Sequence, residues 1–440
     1  MAESGRLREH GPSTPDAPTV HNGPVDVQPC GHAAYAAGFR GCAHLVAEQP
    51  PDHYGRFTGV GLAYDGLCEA CAKQDDPPVI ALCVGCAERL DDCGDVVGWI
   101  GHPEIRHHDT DPGGTWTTAD CAVEPLDDRC VAALPGGWLV LAEAGLVRVD
   151  GDGTSSFVAP VSLPVEPSDL RSADPPRPAV HTSADGRHAA VVTDFGRHGV
   201  VLDLVTGTPV LALDRGDYRY RHSSFPVAFA GVDRDAVVVA ATDWNRLDAF
   251  DLTSGRLLTE RVTAWSGDDP KPEHYLDYFH GALLLDPSGR WLLDDGWTWG
   301  PDGVTVVHDV AAWPGGDVHA TEHGRELAVR EVWDVPMAWL DERTAVLQPI
   351  GRPAVPGVEV HDVVDARRVT AFAGPVGRMW GHDGVLYVRA AAGLERWDPV
   401  AGARTGVVEG FAPNAHNPRT GRFAELAAGR LRTWTPAPPT

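Results

Sequence analysis

Four cysteines in two Cys-x-x-Cys pairs have the types and spacing to do chemistry. They are Cys68 and Cys71 in C-E-A-C, and Cys83 and Cys86 in C-V-G-C, with eleven residues between the pairs. A Cys-x-x-Cys turn points two sulfurs at one centre, while backbone N–H groups stabilise the thiolates. Two pairs thus offer four thiolates to one tetrahedral Zn²⁺. Such a site is closed, has no position for water, and is structural rather than catalytic. A second set is Cys30, His32, Cys42 and His44, in C-G-H and C-A-H. It can form a second zinc site by itself, or share one with Cys93, His102, His107 or His108. The expectation is one or two structural zinc ions. Read otherwise, the pairs are redox or free thiols, and the histidines are scattered surface residues of a loop-rich module.

The elements that must position these ligands are short. L-A-Y-D-G-L before Cys68 suits a strand and knuckle turn, and C-A-E-R-L-D-D-C from Cys86 suits a helix start. Seven of the nine cysteines lie between Cys30 and Cys93, and no secretory signal precedes them. Clustered thiols of this kind favour a reducing compartment, here the cytoplasm, and metal ligation over disulfides. G-C-A-H-L, C-E-A-C, L-C-V-G-C, Cys93 and G-H-P-E-I follow one another in an order that resembles small ubiquitin-protease-type zinc fingers, which also occur in bacteria. The resemblance covers residues 41–105 and implies a zinc-held module. It departs from the family in the long spacing from Cys42 to Cys68 and in the missing His pair, so ubiquitin binding is not implied. Residues 1–26 read as a disordered tail and 27–110 as the Cys/His zinc-binding module.

After the Asp109–Gly114 segment the character changes to strand-length apolar runs separated by Gly/Asp turns. A ladder of apolar or aromatic residues followed by Asp runs through Val149-Asp150, Leu202-Asp203, Phe250-Asp251, His308-Asp309, His361-Asp362 and Trp397-Asp398, with Trp434-Thr435 as a seventh rung. The intervals scatter around the roughly 40 to 50 residues of a propeller blade. R-W-D-P-V-A-G-A-R is close to the usual blade phrase, and the region resembles divergent WD40-like β-propellers. The fold class expected is mainly β: a seven-bladed β-propeller over 115–436, behind the small zinc-binding module. Each blade parses into strands a to d. The last blade ends at W-T-P without a fourth strand, and T-W-T-T-A-D-C-A-V at 115–123 can supply it and close the ring.

The formal net charge of −26 argues against nucleic acid and against an anionic membrane surface as partners, and no apolar run approaches a membrane span. Unusual residues collect on the face formed by b–c turns and d–a connections of blades 2 to 4. They are Arg219, Tyr220, His222, Asp243, Trp244, Asn245, Arg246, Glu273, His274, Tyr275, Asp277, His280, Trp297 and Trp299. Aromatic and Arg-rich surfaces form binding hot spots, so the reading is a non-catalytic scaffold for a protein or peptide partner. The bland alternative is that these side chains only pack the loops. The chemical alternative is a hydrolase or lyase using carboxylates and histidines of the same face, Glu273, His274, Asp277, His280 and Asp294 among them. It requires that two or more of these converge around a concavity on the axis. No nucleophile elbow, P-loop, dinucleotide fingerprint or H-E-x-x-H is present.

Overall fold

The computed structural model describes residues 36–46, 52–57, 64–83, 86, 90, 96–100, 103–164, 175–230, 237–263, 265, 270–300, 302–310, 313, 317–330, 332–348 and 357–438. The chain forms two compact units: Met1–Thr58 with Tyr64–Gly101, and Gly59–Ala63 with His102–Thr440.

The smaller unit is built on a five-stranded sheet with the strand order Val79–Cys83, Ala36–Cys42, Tyr64–Leu67, His53–Phe57, Val96–Ile100. Ala36–Cys42 and Tyr64–Leu67 run parallel, with Gly41 opposite Gly66. A Cβ on Gly41 would come to 3.1 Å from the Gly66 carbonyl oxygen, so glycine permits this close approach. The unit's buried cluster among the described residues is Cys42, Leu45, Leu67, Cys71, Leu82, Cys86 and Leu90. Three of its members are cysteines, which leaves little aliphatic surface to drive folding.

The larger unit is mainly β, built from successive antiparallel sheets. Its sheets of four antiparallel strands follow one another at 131–159, 177–214, 227–257, 279–330, 337–373, 379–409 and 415–435. In the third, Val227–Ala230, Val237–Asp243, Arg246–Asp251 and Arg256–Leu257 match the a to d parse of the sequence. Second strands are continuous apolar runs because both of their faces are covered. Gly137–Ala142 and His188–Asp194 are buried almost throughout, and Trp291–Trp297 throughout. Hydrophobic clusters are shared between consecutive sheets: Leu139 and Leu146 of the first with Val191 and Leu202 of the second, and Val192 and Val201 with Val238 and Ala240 of the third. Another cluster joins Trp138 and Val149 of the first sheet to Ala424 and Leu431 of the last.

Every rung of the Asp ladder ends a third strand, from Gly145–Asp150 to Gly393–Asp398, with Arg430–Thr435 in the corresponding place. The aspartates cap the following turn. Asp203 Oδ1 accepts from the N–H groups of Val205 and Thr206, and Asp251 Oδ1 from those of Thr253 and Ser254. The last sheet is completed by Thr115–Asp120, which pairs antiparallel with Arg430–Thr435 and sets Trp116 opposite Trp434.

One stretch differs from the expected division. Residues 103–110 belong to the larger unit, not to the Cys-rich one. Arg106–His107 adds a parallel strand to the sixth sheet beside Ala403–Glu409. The Asp109 carboxylate takes two hydrogen bonds from Arg404, at 3.0 and 2.7 Å. The reason is local: an outer strand with unpaired backbone groups accepts the passing chain as an extra strand.

Candidate metal centre and candidate binding face

The parallel strand pair of the smaller unit decides its chemistry. Because Ala36–Cys42 and Tyr64–Leu67 run the same way, their C-terminal ends lie side by side, with Cys42 at one and Cys68 just beyond the other. The turn Ala43–Val46 then carries His44 over the end of the sheet, and the single helical turn Glu69–Ala72, N-capped by Cys68, brings in Cys71. Cys42, His44, Cys68 and Cys71 thus place one ligand atom each within 4.8 Å of all the others, a set that can hold a metal ion. His44 Nδ1 lies 3.5 Å from Cys68 Sγ and 3.4 Å from Cys71 Sγ. Zn–S and Zn–N bonds of about 2.3 and 2.0 Å at tetrahedral angles require an S···N separation of roughly 3.5 Å. The backbone N–H of Cys68 donates to Cys42 Sγ at 3.3 Å, the kind of support a coordinated thiolate receives.

The thiols are electrostatically unequal. Burial opposes the Cys68 thiolate, but hydrogen bonds from the Cys71 and Ala70 backbone and from neighbouring thiols outweigh it, so its pKa falls below the ordinary thiol value. Burial and the adjacent Cys68 and Cys42 push Cys71 up to about 12. A divalent cation would relieve the repulsion that keeps Cys71 protonated.

The convergent set crosses the two groups read from the sequence. It takes the Cys68–Cys71 pair from one and Cys42 and His44 from the other. Cys86 is buried in the same cluster as Cys42 and Cys71 but is not among the converging four. Cys30 and His32 lie outside the described residues, as does the side chain of Cys83. Spacing along the chain favoured the pair eleven residues away. Parallel pairing brought in Cys42 and His44.

In the larger unit, loops after second strands and before first strands gather aromatic rings from the second to the fifth sheet. Phe279 stacks on Trp297 at 3.8 Å between ring centroids, and Trp297 stacks on Trp333 at 4.9 Å. Trp244 packs on Phe279 at 4.4 Å, and Tyr218 contacts Trp244, Phe279 and Trp299. Tyr275 touches Trp244 and Trp265. The outer members are open to solvent: Trp299 is 49% exposed and Tyr218 45%. Arg219 lies over the Trp299 ring at 5.0 Å, and Lys271 over Tyr275 and Trp265 at 4.7 and 5.1 Å. Arg219, His222, Asp243, Glu273 and Asp277 are exposed.

Other expected face residues have structural partners. Asn245 is buried, and its amide donates to the Leu276 carbonyl. Arg246 bridges Asp248 and the Arg261 carbonyl. The Tyr220 hydroxyl accepts from Arg221, Asp277 pairs with Lys271, and His274 stacks on His319. His280 and Trp297 lie within strands and are buried. A strand-b position faces a neighbouring sheet, so an aromatic there packs rather than projects. Tyr218, Trp265, Lys271 and Trp333 were not singled out in the sequence. Tyr218 had a usable signal, because it lies in the same d–a connection as Arg219.

Two of the groups required for chemistry do approach each other. His280 Nδ1 donates to Asp294 Oδ2 at 2.5 Å, and His308 Nε2 lies 3.7 Å from the same oxygen. All three are buried. Burial alone would raise the Asp294 pKa, but His280 and His308 bring it down to about 2. The cluster is enclosed in the fourth sheet and lines none of the large axial cavity. It fits a structural ion-pair network better than an acid–base centre.

No family model and no curated protein matches the sequence. Solved structures with a similar chain course include one in the mitotic checkpoint complex, with a TM-score of 0.48 and 12% identity over 76% of this chain and 95% of that one. Another is hydrazine synthase of Kuenenia stuttgartiensis, with a TM-score of 0.41 and 16% identity over 63% and 83%. A third is the β-propeller domain of Myceliophteria thermophila Cps50 (Swd1), with a TM-score of 0.41 and 12% identity over 74% and 99%.

Proposed function

We propose that this chain is a non-catalytic scaffold of the reducing cytoplasm: a seven-bladed WD40-like propeller and a zinc-held module, binding a protein or peptide partner. The observation that carries this reading is the pair of open rings, Tyr218 and Trp299, with Arg219 over Trp299, at the edge of a stacked aromatic cluster. The open rings pack on buried Phe279 and partly buried Trp244 beneath them, contacts that limit the freedom they lose when a partner covers them. Aromatic and Arg side chains on such a support are the usual anchors of an interface. Zinc is the ion favoured by the three-thiolate, one-imidazole set, and four protein ligands leave it a structural role.

The test is affinity enrichment with wild type and with a Tyr218→Ala, Trp299→Ala double variant. Both residues are surface-exposed, so the fold should survive. Loss of the partners enriched by wild type is the expected result, and an unchanged set would refute the face. Metal analysis should return at least one equivalent of zinc per chain.

A further inference from the structure

The first strands of the successive sheets surround an axial cavity of about 1870 Å³. Its walls are chemically uneven. Leu283, Met337 and Trp380 belong to its apolar lining. Near the end where first strands begin, Arg129, Arg378 and Arg389 line the wall, close enough for Arg378 to feel the charge of the other two; Arg177 lines the cavity as well. Arg129 precedes the strand Val131–Leu134, Arg378 precedes Met379–His382, and Arg389 ends the adjoining second strand Val385–Ala390.

Two of the three cations are already neutralised. Arg129 Nη1 donates to Asp194 Oδ2 at 2.6 Å and to Ser224 Oγ at 2.9 Å. Arg389 Nη1 pairs with Asp128 Oδ2 at 2.8 Å. Arg378 differs. It donates one hydrogen bond, at 3.0 Å, to the Asp128 carbonyl oxygen, and its guanidinium lies 5.2 Å from the Trp380 ring centroid. Among the described residues no carboxylate lies within ion-pair distance of it. The acids that act on it electrostatically are Asp128 and Asp127 of the same wall, and the Asp128 carboxylate is already paired with Arg389. Burial, with Arg129 and Arg389 nearby, lowers Arg378 to about 10. A half-buried guanidinium that makes one hydrogen bond and no ion pair, and that faces a cavity, has N–H groups free to take an anion.

We propose that this end of the axial cavity is a carboxylate-binding site, with Arg378 as the forked donor and Trp380, Leu283 and Met337 receiving the apolar body of the ligand. Guanidinium matches carboxylate through two parallel N–H···O bonds, and an apolar wall beside it selects an organic acid over an inorganic anion. His181, on the same wall, makes no side-chain hydrogen bond among the described residues. Burial leads in lowering its pKa, and Arg129 and Arg378 add to the effect. The carboxylate can come from a free small acid or from the end of an inserted chain. The proposal is independent of the aromatic loop face.

Calorimetric titration of the full chain tests it, with hippurate and its primary amide as small probes and acetyl-Gly-Gly-Phe and its amide as chain-end probes. Expected is binding of at least one acid, with its amide weaker by about tenfold or more. Tighter binding by the peptide acid assigns the carboxylate to a chain end, and tighter binding by hippurate assigns it to a free acid. Arg378→Gln should lose about tenfold or more, and Arg378→Lys should keep part of the affinity through its charge without the fork. Tyr218→Ala, Trp299→Ala should bind the acid as wild type does. Equal binding of acid and amide, no binding of either acid at millimolar concentration, or Arg378→Lys as weak as Arg378→Gln would each overturn the proposal. The acid–amide comparison needs no variant, so a misfolded substitution cannot decide the outcome.

Discussion

The two units solve the problem of stability by different means. The larger unit repeats one packing solution, with aliphatic second strands sandwiched between neighbouring sheets and aromatic residues such as Trp138, Trp397 and Trp434 fully buried. The smaller unit offers four leucines and three cysteines as its buried cluster, and places three thiols and an imidazole at one end of its sheet. The lesson is that local sequence cost differs between them. A repeated sheet tolerates divergence because many apolar contacts share the load, whereas a unit held by a metal, as proposed for the smaller one, would concentrate its stability on a few ligands.

Metal removal should separate the two most sharply. Structural zinc contributes an apparent ~10–16 kcal/mol of binding free energy in small finger peptides, so chelation or Cys71→Ser should unfold the smaller unit. Limited proteolysis should then cut within residues 36–100 while the larger unit stays resistant. Equal loss of both units would break the comparison.

The converse change is Trp397→Ala. Trp397 is fully buried, and its indole N–H donates to Glu395, which also accepts from Arg404. Loss of a buried aromatic costs about 3–5 kcal/mol. The denaturant midpoint of the larger unit should fall, while zinc content stays at the wild-type level.

A third, smaller effect concerns acid. His280 and His308 hold the Asp294 carboxyl down to about 2, below the usual aspartate range, against the effect of burial. A depressed carboxyl pKa stabilises the fold above the unfolded value, and that stability is lost as pH falls through the folded one. Between about pH 4 and pH 2 the larger unit should therefore lose on the order of 2 kcal/mol. Asp294→Asn should flatten this dependence in acid unfolding curves. An unchanged acid limb would mean that the His280–Asp294–His308 cluster is not a stabilising ion-pair network.

Asp251→Ala should have the smallest effect. It removes the acceptor for the Thr253 and Ser254 N–H groups in an exposed turn, which costs about 1 kcal/mol. The Arg256–Leu257 strand beside it is short, so amide exchange should quicken there first.

Much of the succession of sheets in the larger unit was legible because its signals are local. Apolar runs mark second strands, an aspartate ends the third strand of every sheet but the last, and the 115–120 segment has the alternating character of a missing fourth strand. Side-chain direction was less legible. The D-D-G-W run read as a turn, yet Asp294, Asp295 and Trp297 lie inside the strand Trp291–Trp297, where neighbouring sheets bury them. Polar residues usually signal loops. Here Asp294 is satisfied by histidines and Asp295 by Arg330, partners that only packing brings close.

The chain's own composition determined that the N-terminal region would present soft, metal-type ligands, and that the remainder would form short strands in repeats. Both follow from residue type and short-range period, which need no distant partner. Which ligands meet was decided by tertiary structure. The parallel pairing of Ala36–Cys42 with Tyr64–Leu67 joins Cys42 and His44 to Cys68 and Cys71 across more than a strand's length of intervening chain. Register between parallel strands depends on how their side chains pack, and no spacing along the sequence encodes it.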